Sequence, residues 1–169
     1  MRIFLPLLAA AILLGGCLET KFSLGPRESA KVDKQFIGDW HFSWKDGEGS
    51  KSADLVVRNF NGKEYYVEWT DEGKTPVRMS AFVIDVKGAS FVHLLELFED
   101  GQLDEKNTIM RISMKDDKLV LRSLKEDFFE GISSDEQLQK RVSENIDNPA
   151  MYDGEGESGT RVASKHGGT

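Results

Sequence analysis

Short segments with alternating apolar and polar residues follow one another along most of this 169-residue chain, and turn-forming residues separate them. In residues 36–44, Trp40, Phe42 and Trp44 share one face of an extended strand. The pattern continues in residues 54–60, 63–70, 77–86, 89–98, 108–114 and 119–124, and residues 161–164 are a candidate for a short last strand. We therefore expect a mainly β protein, with a single antiparallel meander of about eight strands that forms a small barrel, because closure removes exposed strand edges.

Turn and helix signals complete this expected fold. Asn61-Gly62 is typical of a tight hairpin, because both residues tolerate a positive φ, and Lys87-Gly88 joins the two longest predicted strands. Residues 134–146 form the one segment with a helical period, since Leu138, Val142 and Ile146 recur every four residues. A serine at position 133 or 134 supplies the helix cap.

The N-terminus has the layout of a secretory signal. Arg2 provides the positive charge, residues 3–14 are apolar apart from Pro6, and Gly15 and Gly16 are the small residues found beside a cleavage site. The apolar segment is shorter than the roughly 20 residues that a membrane-spanning helix needs. We therefore predict that residues 1–16 are a signal peptide.

The segment Leu13-Leu14-Gly15-Gly16-Cys17 resembles the lipobox of bacterial lipoproteins. In that family the chain is cut before the cysteine, which becomes the lipid-modified first residue, so the resemblance implies lipidation at Cys17 and a membrane anchor of the palmitate type. In Gram-negative lipoproteins an Asp after the cysteine marks retention in the inner membrane. Because Leu18 stands there, the resemblance implies a cell-envelope protein that, in a Gram-negative host, lies in the outer membrane and faces the periplasm.

Charge and cysteine content restrict what the mature chain can bind. Because Arg2 is the only charged residue before Cys17, removal of residues 1–16 changes the formal net charge from −7 to −8. Such a domain repels nucleic acid, so we expect no nucleic-acid partner and membrane contact through the lipid alone. Cys17 is the only cysteine in the sequence, which excludes an intramolecular disulfide and a zinc–thiolate cluster.

The sequence predicts three parts of the chain: the signal peptide, a lipidated flexible tether over residues 17–34, and a barrel-like domain over residues 35–165. The tether has scattered charge, a Gly25-Pro26 break and few large apolar groups. A coil of this length would reach roughly 20–25 Å, which is enough to clear the lipid headgroups.

Gly38-Asp39-Trp40, followed by a meander and a late helix, resembles the lipocalin-like barrels. In that family the Trp of a G-x-W motif closes one end of the barrel and an Arg packs over it. The resemblance implies this role for Trp40, with Arg122 as the nearest candidate for the arginine. The helix here precedes the last predicted strand, whereas the family's helix follows it.

A second resemblance covers the C-terminal part. Residues 119–124, the Ser134-x-x-Gln137-Leu138 segment and the run from Asn148 to Tyr152 are similar to a family of uncharacterised bacterial lipoproteins. This resemblance supports the domain plan and implies no activity.

Several aromatic side chains on the predicted strands are candidates for lining a ligand pocket or for filling a packed core. A barrel of this size either encloses one small apolar ligand or fills itself with side chains. The candidates are Trp40, Phe42, Trp44, Tyr65, Trp69 and Phe82.

No residue pattern indicates catalysis or metal binding. His41, His93 and His166 stand at no metal-ligand spacing, and no G-x-S-x-G elbow is present. Glu96, among leucines on a strand, reads either as a buried carboxylate with a raised pKa or as a residue that faces water. The sequence favours a protein that is not an enzyme and has no cofactor.

Two functions remain open from the sequence. The first is a lipid-anchored barrel that binds a small apolar ligand, such as a lipid or fatty acid of the envelope. The second is an interaction or scaffold domain with a packed core, which contacts another envelope protein, as an inhibitor does, through the apolar outer faces of residues 77–86 and 89–98.

Overall fold

Eight antiparallel strands form a closed barrel in the computed structural model, which describes residues 17–163. The predicted signal peptide, residues 1–16, and the last residues, 164–169, lie outside the described part of the chain. The described strands are β1 Glu19–Thr20, β2 Gly38–Asp46, β3 Gly49–Asn59, β4 Tyr65–Asp71, β5 Val77–Val86, β6 Ala89–Glu96, β7 Asn107–Lys115, β8 Lys118–Ser123 and β9 Glu157–Val162. The prediction of a mainly β barrel with one helix is confirmed.

The last strand closes the barrel. Strands β2 to β8 pair in sequence order, and β9 then pairs with both β8 and β2. The sequence places this strand too late, because residues 157–160 are glutamate, glycine and small polar residues that suggest a loop. Gly159 lies opposite Phe42, and a Cβ atom there would stand only 2.5–2.8 Å from the Phe42 ring. The strand therefore requires a glycine at this position, although the same glycine suggests a loop in the sequence.

Tight turns join the strands of two predicted hairpins. Lys87 and Gly88, with φ of 48° and 82°, connect β5 to β6, and Asp116 and Asp117, with φ of 50° and 60°, connect β7 to β8. Two successive positive φ angles suit the right-handed twist of the flanking strands. The Asn61-Gly62 connection is longer than predicted, since β3 ends at Asn59 and β4 begins at Tyr65.

The barrel has an apolar core on each side of its wall. The inner cluster contains Trp40, Phe42 and Tyr65 with neighbouring aliphatic residues. The outer cluster contains Phe82 and Phe91 on the outer faces of β5 and β6. Because the two faces of these strands are both covered, β5 and β6 carry apolar residues at consecutive positions rather than alternate ones.

The helix covers part of the outer cluster. Helix α1 spans Asp135–Asn145, within a residue of the prediction, and the Ser134 side chain accepts a hydrogen bond from the Gln137 backbone N–H. Leu138 and Val142 are fully buried against the barrel. The predicted apolar face of the helix therefore covers the strand faces that would otherwise form an exposed patch.

The segment predicted to be a flexible tether lies against the barrel instead. Leu18, Leu24 and Ala30 are buried in the outer cluster. Arg27 donates two hydrogen bonds of 2.8 Å to Glu64, and this interaction holds the pKa of the Glu64 carboxyl below its ordinary value. The prediction of a tether is wrong because the apolar residues of this segment are few and irregularly spaced. Their burial depends on the barrel surface on which they pack, and the local sequence does not show that surface.

Candidate ligand cavity

A cavity of about 700 Å³ opens at one end of the barrel. It lies between inward-facing side chains of β3 to β8, and its volume falls within the range of ligand pockets, roughly 300–1,000 Å³. Its apolar wall consists of Leu55, Val57, Val67, Trp69, Val77, Met79, Val92, Leu94, Met110, Ile112, Leu119 and Leu121. The barrel is therefore packed at one end and hollow at the other.

The packed end is closed by Trp40. The Trp40 side chain is fully buried and its Nε1–H donates a 3.0 Å hydrogen bond to the Phe36 carbonyl oxygen. The Arg161 guanidinium lies 4.3 Å from the centroid of the Trp40 ring and donates hydrogen bonds to the carbonyl oxygens of Ile37 and Gln35. A cation over an aromatic face, held by two carbonyl oxygens, seals this end of the barrel.

The prediction that Arg122 packs over Trp40 is wrong. Its guanidinium lies 3.9 Å from the ring centroid of Tyr152 and donates a hydrogen bond of 2.7 Å to the Gly154 carbonyl oxygen. Arg161 takes that position because it lies opposite Trp40 in the pairing of β9 with β2. Finding Arg161 required the register of the last strand, which the sequence pattern does not show.

The six aromatic candidates divide among three environments. Trp40, Phe42 and Tyr65 are buried in the packed end, and Trp44 is half-buried against the same cluster. Trp69 lies in the cavity wall, with its ring centroid 5.4 Å from that of Phe42. Phe82 faces outward and is buried in the other cluster, so it is a core residue and does not line the cavity.

Carboxylates surround the mouth of the cavity. Glu19, Asp71, Glu96 and Glu157 come from four different strands and all line the opening. Glu96 is exposed there, which agrees with the second of its two sequence readings. Burial raises the pKa of the Glu157 carboxyl, because desolvation disfavours its charged form.

Asp71 differs from the other three carboxylates because it has close partners. It accepts 2.8 Å hydrogen bonds from Lys74 Nζ and from Trp69 Nε1. Burial raises the pKa of Asp71, but these hydrogen bonds outweigh burial and leave its pKa below the ordinary value. Asp71 therefore stays ionised and holds the Trp69 indole in the wall.

Cys17 lies in the barrel wall. The backbone around Cys17 and Leu18 lies between β7 and β8: Leu18 N–H donates to the Leu124 carbonyl, and Ile109 N–H donates to the Leu18 carbonyl. The side chain of Cys17 lines the cavity, with its Sγ 3.1 Å from the Ser123 Oγ. Burial raises the pKa of the Cys17 thiol. The predicted lipidation site thus lines the cavity, whereas the sequence predicted it to lie on a tether outside the barrel.

His93 is a second buried polar group, and it lies in the outer cluster rather than in the cavity. Its Nδ1 is 2.7 Å from Asn107 Oδ1, and its ring stacks on Phe82 with a centroid distance of 4.6 Å. Asn107 Nδ2 donates to the carbonyl oxygens of Thr20 and Phe22, so its oxygen accepts the Nδ1–H of His93. The ring thereby connects the sheet to the N-terminal segment.

Within residues 17–163, no group of three or more His, Cys, Asp or Glu side chains is arranged to hold a metal ion. No helix in this range has the length and hydropathy that crossing a membrane requires.

Comparison of the chain with models of protein families, with curated proteins and with solved structures found no match.

Proposed function

We propose that this protein is a lipid-anchored binding protein of the bacterial cell envelope, and that its barrel holds the apolar chain of an amphiphile. The observation that carries the proposal is the cavity of about 700 Å³ with an apolar wall, one closed end and one polar mouth. Burial of a chain in such a cavity contributes roughly 0.8 kcal/mol for each methylene group. The ligand's polar end stays at the mouth, in contact with water.

The anchor in this proposal is a lipid on Cys17 after removal of residues 1–16. The lipobox resemblance supports it, and Cys17, whose side chain is buried, lines the cavity. With residues 18–34 packed on the barrel, little chain separates the anchor from the domain. The mouth is then held close to the bilayer, which shortens the path of a lipid-like ligand between the membrane and the cavity.

The alternative is an interaction or scaffold domain that docks through the outer faces of β5 and β6. Helix α1 and the N-terminal segment cover Phe82, Ile84 and Phe91 on those faces. Most of the apolar surface that favoured this function is therefore covered, although Phe98 is 45% exposed, and the hollow interior favours ligand binding over it.

A bulky side chain inside the cavity is expected to abolish ligand binding. Leu94 lies in the cavity wall and is half-buried, so Leu94→Trp places an indole in the space that the ligand needs. We expect binding of dodecyl maltoside to residues 17–169 carrying Cys17→Ser, measured by isothermal titration calorimetry, to weaken at least about ten-fold, which corresponds to 1.4 kcal/mol. The tested fragment retains all residues of the barrel and its cover, and changes only the Cys17 side chain, whose sulfur contacts Ser123.

The matched control is Val120→Trp, since Val120 is half-buried on β8 and is absent from the cavity lining. It should bind like the parent. Native mass spectrometry of the parent should also show a co-purified amphiphile. If the parent carries no ligand and binds neither dodecyl maltoside nor a charged dodecyl amphiphile, the proposed function is wrong.

Replacement of Cys17 should remove the anchor. We expect Cys17→Ala to lose metabolic labelling with palmitate and to leave the membrane fraction, because a protein without its acyl chains loses their burial in the bilayer. Ser123→Ala is the control: it removes the hydroxyl next to the Cys17 sulfur but keeps the cysteine, so labelling should persist. Palmitate-labelled Cys17→Ala in membranes would overturn the lipid assignment.

A further inference from the structure

We propose that the cavity selects amphiphiles with a cationic headgroup. This inference rests on the proposed function and assigns the chemical class of its ligand. The evidence is the negative charge of the cavity mouth, where inward-facing rows of apolar side chains end in carboxylates.

The mouth is far more acidic than the chain as a whole. Its lining contains seven carboxylates and two lysines, whereas the whole sequence has 29 acidic and 22 basic residues. The carboxylates are Glu19, Asp71, Glu96, Asp104, Asp153, Glu155 and Glu157, and the lysines are Lys74 and Lys106. One of the lysines, Lys74, is already paired with Asp71 at 2.8 Å. The remaining charge is strongly negative.

The ring of carboxylates at the cavity mouth arises from the alternation of side chains along the strands and from closure of the barrel. Asp71 continues the inward row of Val67 and Trp69 on β4, and Glu96 continues the inward row of Val92 and Leu94 on β6. Each row changes from apolar to acidic where its strand reaches the opening. A ligand chain in the apolar part therefore places its headgroup among carboxylates.

The surroundings strengthen the effect of these charges. Low-dielectric walls focus the field of like charges at the opening of a cleft. Desolvation by burial disfavours the charged form of Glu157 and raises its pKa. A cationic headgroup would stabilise that charge, whereas a fatty-acid carboxylate would add to the repulsion. The mouth therefore argues against the fatty acid that the sequence suggested as a ligand.

The test compares three probes with the same dodecyl chain: dodecyltrimethylammonium, dodecyl maltoside and dodecanoate, each below its micelle-forming concentration. On residues 17–169 with Cys17→Ser, we expect the cation to bind about ten-fold more tightly than the neutral probe, and dodecanoate to bind most weakly. High salt should reduce the preference, because the mouth is open to screening ions.

A double variant tests whether the mouth carboxylates cause the preference. Glu96→Gln with Glu157→Gln should weaken binding of the cation about five-fold and leave dodecyl maltoside unchanged, which also shows that the barrel remains folded. Asp116→Asn with Asp117→Asn removes the same charge from the β7–β8 turn, which is not part of the cavity lining, and should change neither probe.

The outcomes separate this inference from the proposed function. Equal affinities for the three probes, or tighter binding of dodecanoate, overturn the headgroup assignment while ligand binding stands. Equal loss of cation binding in both double variants overturns the role of the mouth. Absence of binding by all three probes overturns both proposals.

Discussion

Trp40→Ala is expected to lower the free energy of unfolding by about 3–5 kcal/mol, the usual cost of removing a large buried aromatic side chain. The side chain is fully buried, and its loss leaves the Phe36 carbonyl without the indole N–H and removes the ring beneath the Arg161 guanidinium. A buried polar group without its partner adds to the cost of the empty space. Chemical denaturation followed by circular dichroism measures the change.

Trp44→Ala is the matched control for this prediction. Trp44 lies on the same inward row of β2, but it is only half-buried. Its replacement should cost clearly less, since less apolar surface returns to water and the end of the barrel stays closed. Equal losses in the two variants would show that Trp40 does not hold a special position in the packed end.

The free energy of unfolding should fall by about 3 kcal/mol between pH 6.5 and pH 4 through His93 alone. Burial lowers the pKa of His93 from 6.5 to about 4, although hydrogen bonding to Asn107 and the charge of Asp135 act in the opposite direction. In that interval the unfolded chain binds a proton that the folded protein excludes, so acid favours unfolding. Below about pH 4 both states bind the proton and this contribution levels off.

The structural reason is the environment of the imidazole ring. His93 Nε2 is buried without a hydrogen-bond partner, and the ring lies under the N-terminal segment beside Phe82. A proton on Nε2 would place a positive charge and an unsatisfied donor in an apolar cluster. Acid should therefore first loosen the contact between the N-terminal segment and β7.

The measurement compares the pH dependence of unfolding in the parent, in His93→Phe and in His41→Asn. His93→Phe should lose this part of the dependence, whatever its absolute stability. His41, which lies 2.7 Å from Asp54 on the exposed surface, serves as the control, and His41→Asn should keep it. A parent and a His93→Phe variant with parallel profiles from pH 7 to pH 4 would contradict the assignment.

Strand periodicity carried most of the fold prediction because it depends on local geometry. Alternation in residues 36–44 and 63–70, together with positive-φ residues such as Gly88, indicates strands and turns without knowledge of their neighbours. The helix was equally visible, since Leu138 and Val142 repeat at a helical spacing next to a capping serine. These signals lie within a few residues of one another along the chain.

The site was much less predictable. Trp69 and Phe82 both occur in strands, yet Trp69 lines the cavity and Phe82 faces the outer cluster. The apolar residues on both faces of β5 conceal which face is inside. Glu19 and Glu157 both line the cavity although they are far apart in sequence, so no local pattern links them.

The amino-acid sequence by itself determined the elements: alternating strands, a capped helix, an apolar N-terminal segment before a single cysteine, and an acidic chain without disulfides. Only the tertiary structure decided which strand faces are inside, that Arg161 rather than Arg122 covers Trp40, and that residues 17–34 lie on the barrel. The physical reason is range. Propensity and periodicity act between neighbours along the chain, whereas a cavity and its ring of charge exist only after distant strands close on each other.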